Sequence, residues 1–326
     1  MKILSIQNRM GIGDMVIFLP FIEAIAKKFD APVSILVKEN SKAIQFLGDN
    51  KNIDKIIILD RGNNNRNGRH DGIKGSLNLI NDLRKYSFDL VFIFNSSFRF
   101  NLISRMSGIK KIYQYPLFKK KNQHVIKSAQ TFLKNEINLH VESNPTILID
   151  ENIIKNTKLK YQINEKQLNI LLGIGGSGNT KRIPSTTFIK FMKLISEKKD
   201  CRFFLATGKN KDEQKILDEI LKSNFQKKCT ALDGLTLKEI LPIIKNCNIS
   251  ICNDSSFSHL SSALGIETIV LMSDTPLLYG SYSPKMHPII PDGVISVTHD
   301  TLGKDKINPN KIFKKLNDIL NLSNTF

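Results

Sequence analysis

Residues 2–37 read KILSIQNRMGIGDMVIFLPFIEAIAKKFDAPVSILV, and this stretch decides the fold. Lys2 to Gln7 has the apolar character of a short strand. It runs into the turn Asn8-Arg9-Met10-Gly11-Ile12-Gly13-Asp14, then into a helical pattern with Ile22, Ile25, Ala26 and Phe29 on one face. Asp30 and Pro32 stop that helix, while Pro20 leaves its start open, because proline lacks a backbone donor and crowds the preceding turn. Val33 to Val37 is the next strand. Strands alternating with helices imply a parallel sheet covered by helices on both faces.

Moving outward, Lys55 to Leu59 and Phe88 to Phe94 read as further strands, with helices around Lys42 to Leu47, Lys74 to Lys85 and Asn122 to Asn138. The stretch RGNNNRNGRHDG, residues 61–72, is too polar for a core and reads as an exposed loop or a mobile substrate loop. Phe118-Lys119-Lys120-Lys121 reads as a solvated basic face or as part of a site for an anionic acceptor. From Val141 to Gln167 the pattern weakens, and a second alternation follows. Its strands are Leu168 to Leu172, Cys201 to Ala206, Asn248 to Cys252 and Thr268 to Met272. Its helices are Thr186 to Ser196, Lys211 to Leu221, Leu237 to Lys245 and Ser258 to Leu264. Asn308 and Pro309 open a last helix with Ile312, Phe313, Leu316, Ile319 and Leu320 as one apolar stripe. Two α/β domains are expected, at residues 1–150 and 165–326.

The composition agrees. With 326 residues, 41% hydrophobic and 24% charged, the chain can bury two ordinary cores and is not a disordered or fibrous protein. Its formal charge of +18 favours phosphates, carboxylates or an anionic surface. The excess is spread over both halves, with no recognition helix, aromatic RNA-binding signature or zinc spacing, so nucleic acid is not an expected partner. Cys201, Cys229, Cys247 and Cys252 sit in or beside apolar segments and read as buried thiols. No targeting segment or membrane-spanning window is legible, so a cytoplasmic protein is expected, with peripheral contact to an anionic membrane left open. The oligomeric state is not legible.

Open parallel sheets bind ligands beyond the carboxyl ends of their strands, and three polar clusters fall at such places. In Gly11-Ile12-Gly13-Asp14 the glycines permit a tight turn, and Asp14 serves either as a helix cap or as a general base toward a hydroxyl. This cluster lacks the full GxGxxG of a dinucleotide fold. The second runs from Gly173 to Pro184, with four glycines in its first six residues and then Asn179, Thr180, Lys181 and Arg182. Such a loop brings backbone donors and a cation close to an anion, although it is no Walker loop, which needs Gly directly before Lys. The third, Cys252-Asn253-Asp254-Ser255-Ser256-Phe257-Ser258-His259, opens a helix whose unpaired N–H groups suit a phosphate. Ser255 or Ser258 as simple caps, and His259 as an interior histidine, remain the alternatives. There is no GxSxG, HExxH or DxD.

Taken together, GIGDMVIFLPFIEAIAKKF (11–29), YSFDLVFIFNSS (86–97), GSGNTKRIP (176–184) and CNDSSFSHLSSALGIETIVLMSDT (252–275) resemble the heptosyltransferase family of lipopolysaccharide core synthesis, glycosyltransferase family 9. The resemblance implies a GT-B fold of two Rossmann-like domains facing a cleft, with acceptor on the first and nucleotide sugar on the second. It implies Asp14 as the catalytic aspartate and Lys181 as the catalytic lysine that meets donor phosphate, with Ser177 and Thr180 nearby. Asp254, Ser255, Ser256 and His259 would lie near pyrophosphate and sugar, Asp254 holding backbone donors or sugar hydroxyls, and Asp212 or Glu213 near ribose. The implied reaction is inverting transfer of a heptose or related sugar from an ADP sugar to a lipopolysaccharide-core or similar glycan hydroxyl, in a Gram-negative cytoplasm, with no metal or cofactor required. Its partners would be the nucleotide sugar and an anionic glycolipid or glycan, with peripheral inner-membrane contact left open. Ser256 stands where the family usually has glycine, and Ile183 precedes Pro184 where an aromatic is commoner. A nucleotide-sugar epimerase on the same two-domain plan and a basic nucleic-acid-binding protein are the rival readings.

Overall fold

The computed structural model describes residues 1–9, 11–62, 67–116 and 124–323. Parts of two sequence readings, the loop at 63–66 and the basic cluster with its helix start at 118–123, lie outside the described residues. The chain divides into two compact units, Met1–Pro145 and Thr146–Phe326.

The first unit runs β1 (Ile3–Ile6), α1 (Ile12–Phe29), β2 (Val33–Lys38), α2 (Ile44–Leu47), β3 (Ile53–Leu59), α3 (Gly72–Arg84), β4 (Leu90–Ile93), α4 (Phe98–Met106), β5 (Lys111–Gln114) and α5 (Val125–Ile137). Its five strands are parallel in the order β3-β2-β1-β4-β5, with Ile6 of β1 opposite Leu36 on one side and Ile93 on the other. Helix α1 runs unbroken through Pro20, because Met15 to Ile22 are all buried and packing holds what local propensity would break. Its neighbours include an aromatic cluster. Phe92, fully buried, stacks on Tyr113 at 5.0 Å and meets Phe29 at 6.0 Å and the edge of Phe132 at 6.3 Å.

The second unit runs α6 (Glu151–Lys160), β6 (Leu168–Gly173), α7 (Ser185–Ser196), β7 (Cys201–Ala206), α8 (Lys211–Leu221), β8 (Cys229–Ala231), α9 (Leu237–Lys245), β9 (Ile249–Asn253), α10 (Ser256–Ala263), β10 (Thr268–Leu271), β11 (Met286–Ile289) and α11 (Pro309–Ser323). Six parallel strands take the order β11-β10-β9-β6-β7-β8. The core is apolar throughout, with Phe188, Phe191, Met192 and Ile195 of α7 packed against Ile170, Leu172, Phe203 and Leu205, and Ile312 and Leu316 of α11 closing it.

Several elements were invisible to periodicity. Helix α6 has no buried residue at all, so no apolar stripe announces it; what marks it is the Asp150 cap, whose carboxylate accepts from the Asn152 N–H at 2.8 Å. Helix α4 carries apolar side chains on its outward as well as its inward face, which erases the amphipathic signal. Strands β5 and β8 are short, exposed or half-buried edge strands, and β11 is a four-residue edge strand with only Met286 and Ile289 buried. The Lys42 to Leu47 helix shrinks to α2, because Lys42 itself takes a left-handed φ of 51° after a 3-10 turn at Glu39–Ser41.

Removing the ring at the centre of the aromatic cluster tests this packing. Phe92→Ala is expected to cost the first unit ~3–5 kcal/mol, read as a lower urea midpoint for loss of the near-ultraviolet circular dichroism of the tyrosines. A loss below ~1 kcal/mol would show that the cluster collapses to fill the space.

Candidate functional site

In the second unit the chain leaves β6 toward β7 and β8, but leaves β9 toward β10 and β11, although β6 and β9 are neighbours. Such a reversal opens the crevice in which doubly wound sheets take their ligands. Both polar clusters of this unit rise from it, one after β6 and one after β9.

The loop after β6 is held by two opposite charges. Glu213, buried in the first turn of α8, accepts the Gly176 N–H at 2.7 Å, while its other oxygen takes the Asn210 amide. A Cβ on Gly175 would stand 2.6 Å from Glu213 Oε1, so that approach requires glycine. Arg182 donates to the Gly176 carbonyl at 2.9 Å, to Asn179 Oδ1 at 2.7 Å and to Asp212 Oδ2 at 2.7 Å. Asn253, buried at the end of β9, donates to the Ile174 carbonyl at 2.8 Å. The loop is thereby folded back on the sheet, and the 3-10 turn Asn179–Lys181 delivers Lys181 over the end of β9.

There Lys181 Nζ stands 2.8 Å from Asp254 Oδ2. Burial alone would raise the Asp254 carboxyl; the Lys181 ammonium, with His259 also facing it, outweighs that and holds it below the ordinary carboxylate range. Lys181 keeps about a quarter of its side chain exposed, and an ammonium has three donors, so two remain after Asp254 has taken one. His259 stacks on Tyr282 at 5.6 Å, its Nδ1 lying 2.9 Å from the Tyr282 hydroxyl. Desolvation, with the Asp254 charge behind it, pushes that phenol well above its usual range. Ser255 is the N-cap of α10, and its hydroxyl is buried with no hydrogen-bond partner, whereas Ser258 is spent on the Ser255 carbonyl at 2.7 Å. The N–H groups that open α10, beginning at half-buried Ser256, share this crevice.

In the first unit the same reversal falls between β1 and β4. Asp14 follows β1 in the first turn of α1 and is a quarter exposed. Its Oδ2 accepts the Gly11 N–H at 3.2 Å, while Oδ1 lies 3.3 Å from Arg9 Nη1. It therefore caps the helix with one oxygen and holds the half-exposed Arg9 guanidinium with the other. Gln7 Nε2, Asn95 Nδ2 and Tyr115 Oη, at the ends of the adjacent strands β1, β4 and β5, are buried with no hydrogen-bond partner.

The second-unit crevice thus gathers Thr180, Lys181, Asp254, Ser255, Ser256 and His259. Ser177 is exposed on the glycine loop, and Asp212, two-thirds exposed, is tied to Arg182. Glu213 has both oxygens committed inside the protein, which leaves Asp212 as the more accessible of the two acidic candidates. Asp254 holds the lysine and not a backbone donor. Sequence reading missed Tyr282, 23 residues beyond His259 with no local signal, and the shaping roles of Asn210, Arg182 and Asn253. Among the described residues no group of three or more His, Cys, Asp or Glu is placed to hold a metal ion.

Comparison with known proteins agrees with this layout. The model of the family described as Glycosyltransferase family 9 (heptosyltransferase) matches residues 76–291. A lipooligosaccharide heptosyltransferase 2 of Campylobacter jejuni is 26% identical over 262 residues, covering 75% of this chain and 76% of that protein. A lipopolysaccharide heptosyltransferase 1 of Campylobacter coli is 22% identical over 320 residues, 90% of each. The solved structure of E. coli ADP-heptose lps heptosyltransferase II superposes over 100% of both chains with a TM-score of 0.74 at 18% identity, which fixes the fold as GT-B.

The ion pair yields a titration with a defined sign. A carboxyl held low stabilises the fold above its unfolded value near 3.9 and loses that contribution as pH falls through the folded value. In Lys181→Met the Asp254 carboxyl, still buried and now without its ammonium, is expected to titrate above the ordinary carboxylate range, and the second unit to lose ~3–5 kcal/mol at neutral pH. Carboxyl-carbon NMR across a pH series reads the first effect, and chemical unfolding the second. An Asp254 that still titrates low in the variant would show that other groups hold it.

Proposed function

The chain belongs to glycosyltransferase family 9, the heptosyltransferases, and from that membership we propose that it transfers a heptose, with inversion, from an ADP sugar to a hydroxyl of a lipopolysaccharide or lipooligosaccharide core. The observation that carries the donor half of this reading is the convergence of Lys181, the unpartnered Ser255 hydroxyl and the opening N–H groups of α10 at one strand-end crevice. Each is a donor suited to a diphosphate, and together they match the charge that grows on the β-phosphate as it leaves. Asp212 and Ser177 are the exposed groups for ribose and phosphate, with Thr180 beside Lys181.

Asp14 supplies the base. The acceptor hydroxyl takes the place of the half-exposed Arg9 guanidinium at the Asp14 oxygen that does not hold Gly11 and gives that oxygen its proton, as the hydroxyl oxygen bonds to the anomeric carbon; the bond from that carbon to the β-phosphate oxygen breaks, and ADP leaves with the electron pair. The relatives are named lipooligosaccharide and lipopolysaccharide heptosyltransferases, and the net positive charge of +18 suits an acceptor that carries phosphates or carboxylates.

Incubation with a panel of ADP sugars and lipid A–core acceptors, followed by mass analysis, tests the reading: one added heptose is the expected product, and isomerised free nucleotide sugar without acceptor would replace transfer by epimerisation. Asp14→Asn keeps an oxygen for the Gly11 N–H but no base, so turnover is expected to fall ~100-fold or more with ADP affinity little changed. Near-normal turnover would remove Asp14 from the chemistry and leave it as a cap. Helix-end attraction of ~0.3–2 kcal/mol and charge-assisted hydrogen bonds of ~1.5–3 kcal/mol each can together replace a divalent ion. Activity is accordingly expected to survive excess EDTA, and loss restored by magnesium or manganese would overturn the metal-free assignment.

A further inference from the structure

Helices α3 and α4 lie side by side on the first unit. Arg99 of α4 donates to Ser76 Oγ of α3 at 2.9 Å near their N-terminal ends, and Arg84 of α3 donates to the Met106 carbonyl of α4 at 2.8 Å near their C-terminal ends. Each turns one stripe into the core, Leu79, Ile80 and Leu83 on α3 and Phe100 and Ile103 on α4.

The outward faces are also apolar. At about 100° per residue, Ile73 and Leu77 fall on the flank of α3 that carries Ser76, facing α4. On α4, Met106 and Leu102 lean to the flank that carries Arg99, facing α3, and Phe98 continues the row onto the outward face. The five side chains therefore form one strip along the seam and the adjoining outward face of α4, and Ile73, Leu77, Phe98, Leu102 and Met106 are 87%, 51%, 64%, 45% and 43% exposed. The buried stripes are complete without them, so the core does not account for them. A continuous exposed apolar strip of this kind marks an interaction surface.

Charge selects the partner. Residues 72–111 carry seven basic and two acidic side chains. Lys74, Arg105 and Lys110 are exposed, and Asp82, one of the two acids, is committed to Arg69, His70 and Lys85. An apolar strip within a basic field suits the headgroup region of an anionic bilayer, where apolar side chains enter the acyl boundary and lysine and arginine stay at the phosphates. A second copy would bring the same positive charge against itself. No helix among the described residues is long and apolar enough to cross a membrane, so attachment at this face would be peripheral.

We propose that the α3–α4 strip, Ile73, Leu77, Phe98, Leu102 and Met106 with Lys74 and Arg105 beside it, docks this protein on an anionic lipid surface. The purpose rests on the glycolipid-acceptor reading above; the lipid contact itself does not.

Flotation of the whole chain with vesicles of phosphatidylglycerol and phosphatidylethanolamine, containing no acceptor, tests it against vesicles of phosphatidylcholine alone. The wild type is expected to float with the anionic vesicles and to be released by salt. Leu77→Gln with Leu102→Gln, which leaves the net charge unchanged, is expected to lower partitioning on the order of tenfold, and Lys74→Gln with Arg105→Gln on the order of tenfold as well. Thermal unfolding of both double variants establishes that they fold, and transfer to a water-soluble deacylated acceptor reads the chemistry separately. Equal flotation with both vesicle types, or unchanged partitioning of the leucine variant, overturns the proposal. So does a wild type that sediments as a dimer and a leucine variant that sediments as a monomer, which would assign the strip to a second copy. Vesicle binding without sugar transfer would leave this inference standing and sink the heptosyl reading; transfer to soluble acceptor without vesicle binding would do the reverse.

Discussion

A carboxylate buried at the end of a strand has to be matched by a cation, and in the second unit that requirement organises everything around it. Asp254 is almost wholly enclosed, and Lys181 reaches it from 73 residues away in sequence only because the glycine-rich loop after β6 folds back over the sheet. The folding-back has its own supports, a buried glutamate beneath the loop and an arginine across it. Leaving one charge of such a pair alone would cost several kilocalories per mole, so loop shape and ion pair stand or fall together. The same pair aims an ammonium with spare donors at the crevice where α10 begins. Structural need and the role proposed for Lys181 therefore fall on one contact.

Asp14 shows the same economy in the first unit. One oxygen closes the start of α1 and the other pairs with the half-exposed Arg9. The sequence alone left cap and base as alternatives, and the geometry has room for both, because a carboxylate has two oxygens and a helix start needs only one.

How much of this was legible can be argued residue by residue. Strands buried on both faces, such as Cys201–Ala206, and helices with one clean apolar stripe, such as Lys211–Leu221, appear at the positions their patterns predict. Helix α6 was lost because it buries nothing, and α4 because it is apolar on both sides. At the site, loop glycines and the Asp-Ser-Ser cluster were readable as local runs. What local runs cannot show is who faces whom across the sheet. Glu213 could not be told from Asp212 as a ligand until its oxygens were seen committed to Gly176 and Asn210, and nothing near His259 in sequence points to Tyr282. Periodicity reports burial of an element against its own surroundings, whereas a ligand crevice is made by elements far apart in the chain.

The order β3-β2-β1-β4-β5 has a consequence during synthesis. Strand β1 leaves the ribosome before the other strands of its sheet and can pair with β2 soon afterwards, but its other edge is covered only by β4, which begins at Leu90. At roughly 5–20 residues per second that edge, Ile3-Leu4-Ser5-Ile6, stays bare for several seconds, with the apolar α1 already made beside it. The second sheet repeats the delay, since β6 waits for β9 until Ile249 has been translated. A nascent chain of this kind carries two open strand edges in succession, and its yield in the cell depends on how well those intervals are shielded from other growing chains.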